Sequence, residues 1–234
     1  MLELTPRLKT IGESIERCNV VADIGSDHAY LPIYLIKNNK ANKVIASDIN
    51  IGPAKISKER IKKYGLENYI EVRIGNGLKV IDKYEADIIV IAGMGGLLIK
   101  SIIEERMDVA ISADRLILQP MRDSRALISW LLKSSFVIID GEVIKENEKY
   151  YEIIRTCFDE EADRDAEVIN EVYYYKNTPV LHEYIDRKIE QYMNIINQLK
   201  ASNVADSDAR MRECIEELNN YREAKKWLIL NAEQ

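Results

Sequence analysis

Two acids and a glycine after the first apolar run of the chain have the spacing of a nucleotide-binding turn. Residues 20–32 read VVADIGSDHAYLP, so that Asp23, Gly25 and Asp27 alternate directly behind the run. A strand, an acidic glycine turn and a helix, in this order, form the ligand crevice of doubly wound α/β domains. Two acids suit a ligand with hydroxyls and a cationic amino group, such as S-adenosylmethionine, better than they suit a diphosphate.

Asp48 and Asn76 follow the next two apolar runs and have the chemistry to bind an adenosine. Asp48 comes 25 residues after Asp23, and an acid there accepts both ribose hydroxyls, although it could instead cap the following helix. Asn76 lies in GNGL beside Gly77 and Leu78. Its amide oxygen could accept from the exocyclic amine of adenine, and the alternative is an Asn-Gly turn without a ligand.

A glycine-rich loop, IAGMGG over residues 91–96, is the candidate substrate face. Its exposed backbone would let a flat base approach the cofactor, at the sheet edge where open α/β proteins bind ligands. The cofactor-side candidates are Ala92 and Gly93, and the substrate-side candidates are Met94, Gly95, Gly96, Gln119 and Pro120. Both loops could instead be plain turns between a strand and a helix.

Asp27, His28 and Tyr30 project from the loop after Gly25 and are the catalytic candidates. A polar cluster here can reach both the cofactor and the acceptor, although a single histidine is more often structural than catalytic. The dinucleotide fingerprint G-x-G-x-x-G would need glycine at positions 27 and 30, where this chain has Asp and Tyr. An NAD-dependent oxidoreductase is therefore disfavoured.

The elements that must position these residues alternate along the first part of the chain. The predicted strands span residues 20–23, 43–47, 70–74, 87–92, 115–119, 136–144 and 151–157. The predicted helices span residues 30–38, 51–64, 96–106 and 122–132. The alternation predicts an α/β fold of five parallel strands plus an antiparallel edge hairpin, the Rossmann-like sheet of class I methyltransferases.

The last part of the chain predicts a helical hairpin rather than more sheet. Thr178 and Pro179 give a helix N-cap and first turn, and an apolar seam of coiled-coil spacing follows up to Leu199. Small polar residues interrupt the pattern at 201–207, before a second helix. We expect a cofactor-binding catalytic domain over residues 1–159 and a helical domain over 160–234.

Composition limits the compartment and the partners. The 234 residues carry a net charge of −6, so an RNA partner would need a local basic patch. The three cysteines lie far apart without metal-ligand spacing, which predicts a reduced, metal-free protein. No apolar run approaches the roughly 20 residues that span a bilayer. We expect a cytoplasmic protein that is a monomer or weak dimer.

The sequence resembles the bacterial tRNA (adenine(22)-N1)-methyltransferases. The shared pieces are LTPRLKTI with Arg7, DIGSDHAYLP, ASD at Asp48, GNGL, IAGMGG and LILQP. The family usually has Asp where Asn76 stands, and often Asn where this chain has Met121. The resemblance implies a class I fold that binds S-adenosylmethionine, with Arg7 on the cofactor, methylates N1 of an adenine in the D-arm region of tRNA, and uses the helical hairpin to hold the tRNA.

This activity would depend on placement rather than on a metal or a covalent nucleophile. The in-plane lone pair of N1 must lie roughly 3 Å from the methyl carbon, and the base must be unpaired or flipped out. The product ring is cationic, so Asp27 could stabilise its charge or accept a proton from the exocyclic amine. Candidate phosphate contacts are Arg7, Arg60, Lys62, Lys63, Arg122 and Arg125. The alternatives are a small-molecule methyltransferase and a non-enzymatic module that binds a nucleoside or RNA.

Overall fold

The computed structural model describes residues 3–164, 170–201 and 207–231. The chain divides into two compact units, Met1–Ala166 and Glu167–Gln234. This division comes later than residue 159 because the amide of Asp159 donates to the Ser135 carbonyl at 2.8 Å, which ties the segment after the last strand to the first unit.

The first unit contains a seven-stranded sheet with the order β3-β2-β1-β4-β5-β7-β6. The strands are β1 Cys18–Ile24, β2 Ala41–Asp48, β3 Ile70–Ile74, β4 Ile88–Met94, β5 Arg115–Pro120, β6 Phe136–Glu146 and β7 Lys149–Phe158. The first five strands are parallel, and β7 runs antiparallel to both β5 and β6. The predicted fold class is confirmed.

Helices connect the parallel strands. In the first unit they are α1 Pro6–Ser14, α2 Tyr30–Lys37, α3 Ile51–Tyr64, α4 Gly96–Glu105, α5 Met107–Ala110 and α6 Ser124–Lys133. α1 and α5 are absent from the predicted elements. α1 begins with a Thr-Pro pair, Thr5 and Pro6, like the pair at positions 178 and 179. The Thr5 hydroxyl accepts from the Leu8 amide at 3.4 Å. The helix predicted from residue 122 begins later, because Asp123 has a left-handed φ of 61°.

The core explains why the candidate site lies where it does. β1 and β4 are the central pair, and their inner residues, including Val21, Ala22, Ile89 and Val90, are fully buried. The strand order reverses between these two strands, because β2 and β3 lie on one side and β5 on the other. A crevice therefore opens at their carboxyl ends, the position at which doubly wound sheets bind ligands.

The second unit is a pair of helices, α7 Pro179–Ala201 and α8 Ser207–Leu230. Tyr192 stacks on Tyr221 with their ring centroids 5.9 Å apart, and Ile196 packs with Leu218. Partners further along α7 thus lie earlier along α8, so the helices run antiparallel, as predicted. The predicted break at 201–207 falls mostly outside the described residues. Among the described helices, none has the length and apolarity needed to cross a membrane.

Candidate active site

A pocket of about 750 Å³ opens at the carboxyl ends of β1, β2 and β4. It collects residues from six separate segments of the first unit. The predicted site residues that line it are Arg7, Asp23, Gly25, Asp27, Tyr30, Asp48, Asn76, Gly77, Ala92, Gly93 and Met94. The six other predicted site residues, His28, Leu78, Gly95, Gly96, Gln119 and Pro120, are not part of its lining.

Gly25 forms the sharp turn beneath the pocket. Its φ of +73° is a conformation that L side chains rarely adopt. The Gly25 and Ser26 amides both donate to the Ser47 carbonyl at 2.9 Å, which joins the end of β1 to the end of β2. A Cβ at position 25 would lie 2.3 Å from the Met94 methyl group. Glycine here allows both the turn and the close approach of the opposite pocket wall.

Asp23 places a carboxylate in the floor of the pocket. The residue is only 4% exposed, and its Oδ2 has no hydrogen-bond partner within the described part of the chain. Burial raises the pKa of Asp23 to about 6. A buried acceptor without a donor is unfavourable by itself, so this oxygen fits a ligand that supplies a cationic N–H group.

Arg7 forms one wall of the pocket and is held by Gln119. The Arg7 Nη1 donates to Gln119 Oε1 at 2.6 Å, and the Gly93 amide donates to the same oxygen at 3.1 Å. The Gln119 amide nitrogen donates to the Pro120 carbonyl at 2.8 Å. The backbone amide of Arg7 also donates to Glu146 Oε2 at 3.1 Å. Four chain segments therefore meet behind this wall.

The structure corrects the expectation that Gln119 and Pro120 contact a substrate. Gln119 has no exposed surface, and Pro120 is buried at the end of β5. With its side-chain oxygen shared between Arg7 and Gly93, Gln119 positions the pocket wall from behind.

Asp48 is the last residue of β2, and its contact with the ribose hydroxyls stays a prediction. Asp48 Oδ1 accepts from the Asn50 amide at 2.8 Å, just before α3, and Asp48 also lines the pocket. Asn76 is exposed at the pocket, with Gly77 next to it at a φ of +54°. Leu78, expected to touch the cofactor, is instead 1% exposed in the core, because a short 3-10 turn over Gly77–Val80 directs it inward.

Gly96 is buried against a backbone, whereas Gly95 is partly exposed and its substrate contact stays a prediction. Gly96 donates its amide to the Arg122 carbonyl at 2.9 Å, and a Cβ at Gly96 would lie 2.6 Å from the Asp123 carbonyl oxygen. Glycine at position 96 thus serves backbone packing. Gly95 lies beneath the Arg122 side chain, whose Nε would be 3.3 Å from a Cβ there. Gly93, which lines the pocket, is the exposed glycine of this loop.

The loop that carries the catalytic candidates has an unusual backbone. Asp27, His28 and Ala29 have consecutive φ values of 35°, 73° and 57°. Left-handed conformations at residues other than glycine cost of order 1–3 kcal/mol each and occur where the surrounding structure enforces them, often at functional sites. The Asp27 side chain is 78% exposed at the pocket, and its Oδ1 lies 3.2 Å from His28 Nε2.

His28 lies beside the pocket rather than in its lining, and its catalytic role stays a prediction. Its ring packs edge-on against Tyr30, with 6.5 Å between the ring centroids, and its buried Nδ1 has no partner among the described residues. The histidine contacts Asp27 and Tyr30, both of which line the pocket.

Sequence reasoning missed several residues of the pocket wall. They come from α1 and the segment before it, from the loop after β2, and from the apolar rim formed by α4 and the loop after β5: Glu3, Leu4, Thr5, Leu8, Ile49, Asn50, Leu98, Ile102 and Met121. The Thr-Pro helix start could have located the first segment. In the described ranges, no group of three His, Cys, Asp or Glu residues has the arrangement of a metal site.

Comparison with known proteins places the chain in a family. Residues 4–154 match the family described as a methyltransferase domain. A curated relative from Bacillus subtilis (strain 168), tRNA (adenine(22)-N(1))-methyltransferase, is 46% identical over 165 residues, which are 70% of this chain and 68% of the relative. The chain belongs to the tRNA (adenine(22)-N(1))-methyltransferase family.

Solved structures of this methyltransferase family have the same fold as the chain. The m1A22 tRNA methyltransferase TrmK of Bacillus subtilis is 33% identical, with a TM-score of 0.84 over 96% of this chain and 100% of that one. A putative tRNA (m1A22) methyltransferase of Streptococcus pneumoniae, solved in complex with S-adenosyl-L-methionine, is 25% identical, with a TM-score of 0.83 over 95% of this chain and 100% of that one.

Proposed function

We propose that this protein transfers a methyl group from S-adenosylmethionine to N1 of adenine 22 in tRNA. The chain is a class I methyltransferase with S-adenosylmethionine as its cofactor. The observation that carries the assignment of the pocket is the buried Asp23 oxygen without a donor. A dinucleotide offers phosphates to this position, whereas S-adenosylmethionine offers an ammonium group.

Each side of the cofactor has a suited residue in the pocket. Asp23 accepts from the ammonium group, and Arg7, which also lines the pocket, is suited to the carboxylate. Asp48 has Oδ2 available for the ribose hydroxyls, since its Oδ1 accepts from the Asn50 amide. Asn76 accepts from the adenine amine through its exposed side chain. When bound, S-adenosylmethionine supplies an electrophilic methyl group.

The substrate base meets an apolar rim and one carboxylate. Met121 and Leu98 are 49% and 53% exposed, and both line the pocket, which suits the flat face of an unpaired adenine. Asp27 is the exposed carboxylate of the same mouth. It stabilises the positive charge that the ring acquires at N1, or takes the proton of the exocyclic amine.

The tRNA backbone requires cations around this mouth. Arg122 is the strongest candidate, because its side chain is 81% exposed and lies over Gly95 at the start of α4. The residues 160–234 carry 16 acids and 10 Lys or Arg, a net charge of −6, so the helical unit contacts RNA through a few residues or limits access to it. We place the protein in the cytoplasm as a monomer or weak dimer.

The test is methyl transfer to a defined tRNA. The purified protein is incubated with tritiated S-adenosylmethionine and a tRNA transcript with adenine at position 22, and the product nucleoside is identified by mass spectrometry. A transcript with guanine at position 22 should accept no label. Equal labelling of both transcripts would contradict the site, and labelling of neither would favour a small-molecule methyltransferase or a non-enzymatic binding module.

The role of Asp27 is tested separately. Asp27→Ala should keep S-adenosylmethionine affinity, because the cofactor contacts lie elsewhere, and reduce the transfer rate by about 100-fold or more, as for removal of one electrostatic group from an active site. Asp114→Ala is the matched control. Asp114 is an exposed acid directly before β5, at the amino end of the strand, whereas the pocket lies at the carboxyl ends of the strands. Transfer by Asp27→Ala near the wild-type rate would contradict the assignment.

A further inference from the structure

The left-handed loop of residues 27–29 is bonded to a side chain from another helix. Arg60, on α3, donates from Nη1 to the His28 carbonyl at 2.7 Å. The same guanidinium lies over the ring of Tyr30, 3.8 Å from its centroid. One side chain thus contacts both His28, the middle residue of the loop, and Tyr30, the first residue of α2.

At the end of the loop, the Ala29 carbonyl accepts from the Ile33 amide of α2 at 3.2 Å. α2 begins after Ala29 without any side-chain cap, and the buried Ala29 side chain is a single methyl group. The carboxylate of Asp27 is largely exposed, and its neighbour is the His28 ring of the same loop. The position of this carboxylate therefore depends on the backbone of the loop rather than on partners of its own.

We propose that Arg60 is a positioning residue that holds the left-handed loop and thereby sets Asp27 against the acceptor base. This rests on the proposed function, in which Asp27 acts on the adenine. It also changes the expected role of Arg60, because its guanidinium is occupied by the loop rather than presented to a tRNA phosphate. Lys62 and Lys63, two and three residues further along α3, are exposed.

The decisive variant is Arg60→Met, with Lys58→Met, at an exposed lysine of the same helix, as the matched control. Methionine keeps an apolar chain over Tyr30 but cannot donate to the His28 carbonyl. We expect kcat to fall roughly 10- to 100-fold, the scale for a misplaced catalytic group. The affinity for S-adenosylmethionine and the KM for tRNA should stay within about twofold. Lys58→Met removes a charge from the same helix without touching the loop and should leave kcat unchanged.

Two further measurements separate positioning from the alternatives. Arg60→Lys keeps a donor and should recover part of the lost kcat. In an Asp27→Ala background, Arg60→Met should cause little additional loss, because both changes remove the same contribution. A raised KM for tRNA with unchanged kcat would assign Arg60 to a phosphate and overturn the proposal, as would fully additive losses.

Hydrogen exchange tests whether Arg60 holds the loop, and it requires no methyl transfer. The amides of residues 27–31 should exchange faster in Arg60→Met than in the wild type, while the amides of β4 should not change. Equal exchange at the loop would overturn the proposal. If wild-type protein exchanges as expected at the loop but methylates no tRNA, it is the proposed function that fails. A lowered melting temperature together with unchanged relative exchange would indicate a merely structural residue and also overturn the positioning role.

Discussion

Replacing Asp23 by Asn should make the free protein more stable while removing its ability to bind the cofactor. The wild-type carboxylate is buried in the pocket floor, with one oxygen that has no donor among the described residues. The asparagine side chain has nearly the same shape but no charge. The unfavourable burial of a charge disappears, and the acceptor for an ammonium group is lost with it.

The magnitude follows from the pKa of Asp23. Burial raises it from 3.8 to about 6, and one pKa unit corresponds to about 1.4 kcal/mol. The folded protein binds more protons than the unfolded chain between these pH values, so its stability falls as the pH rises through this window. The ionised carboxylate thus costs about 3 kcal/mol at pH 8, and about half of that at pH 5.

Urea denaturation of the free protein at both pH values measures this difference. The stability gained on Asp23→Asn should be larger at pH 8 than at pH 5 by about 1 to 2 kcal/mol. The comparison between the two pH values cancels any constant effect of the buried amide. An equal gain at both values, or a larger gain at pH 5, would refute the assignment of a raised pKa to Asp23.

Calorimetric titration with S-adenosylmethionine tests the functional half of the prediction. Wild-type affinity should weaken about tenfold between pH 7 and pH 5, as the carboxylate takes up a proton. The variant should bind weakly and equally at both pH values. A wild-type affinity that does not change over this range would show that the ammonium group does not rely on Asp23.

Two other buried contacts give predictions of their own. Gln119→Leu leaves the Arg7 guanidinium and the Gly93 amide without their shared acceptor. We therefore expect a stability loss of about 1–3 kcal/mol and a raised Kd for S-adenosylmethionine. Unchanged titration curves would contradict the role of Gln119 in positioning the pocket wall. Tyr221→Phe removes the hydroxyl that donates to the buried Glu171. Thermal melts should show a similar loss of stability, while cofactor affinity stays at the wild-type value. A change in that affinity would contradict a purely structural role.

The strands, and the meeting of Asp23, Asp48 and Asn76 in one pocket, could be predicted because their signals are local. Each parallel strand is a short apolar run, and Asp23, Asp48 and Asn76 directly follow such runs. The carboxyl ends of parallel strands meet at one edge, so the position in the chain was enough to bring these residues together.

The side of the pocket next to β5 and the left-handed loop could not be predicted in the same way. β5 is buried on both faces, so alternation gives no sign of which way Gln119 points. The left-handed loop contains no glycine between residues 27 and 29. The hydrogen bond from Arg60 to the His28 carbonyl joins positions 32 residues apart. Such contacts depend on the packing of α2 against its neighbours, which no local pattern records.

The bonds made by Arg7 set an order for completing the pocket during synthesis. Its backbone amide binds Glu146, 139 residues later in the chain, and its guanidinium binds Gln119, 112 residues later. α1 therefore leaves the ribosome first but acquires its partners among the last elements of the first unit. A nascent chain that ends before β6 contains the parallel strands and the Gln119 partner of Arg7, yet it lacks Glu146, the second anchor of this pocket wall.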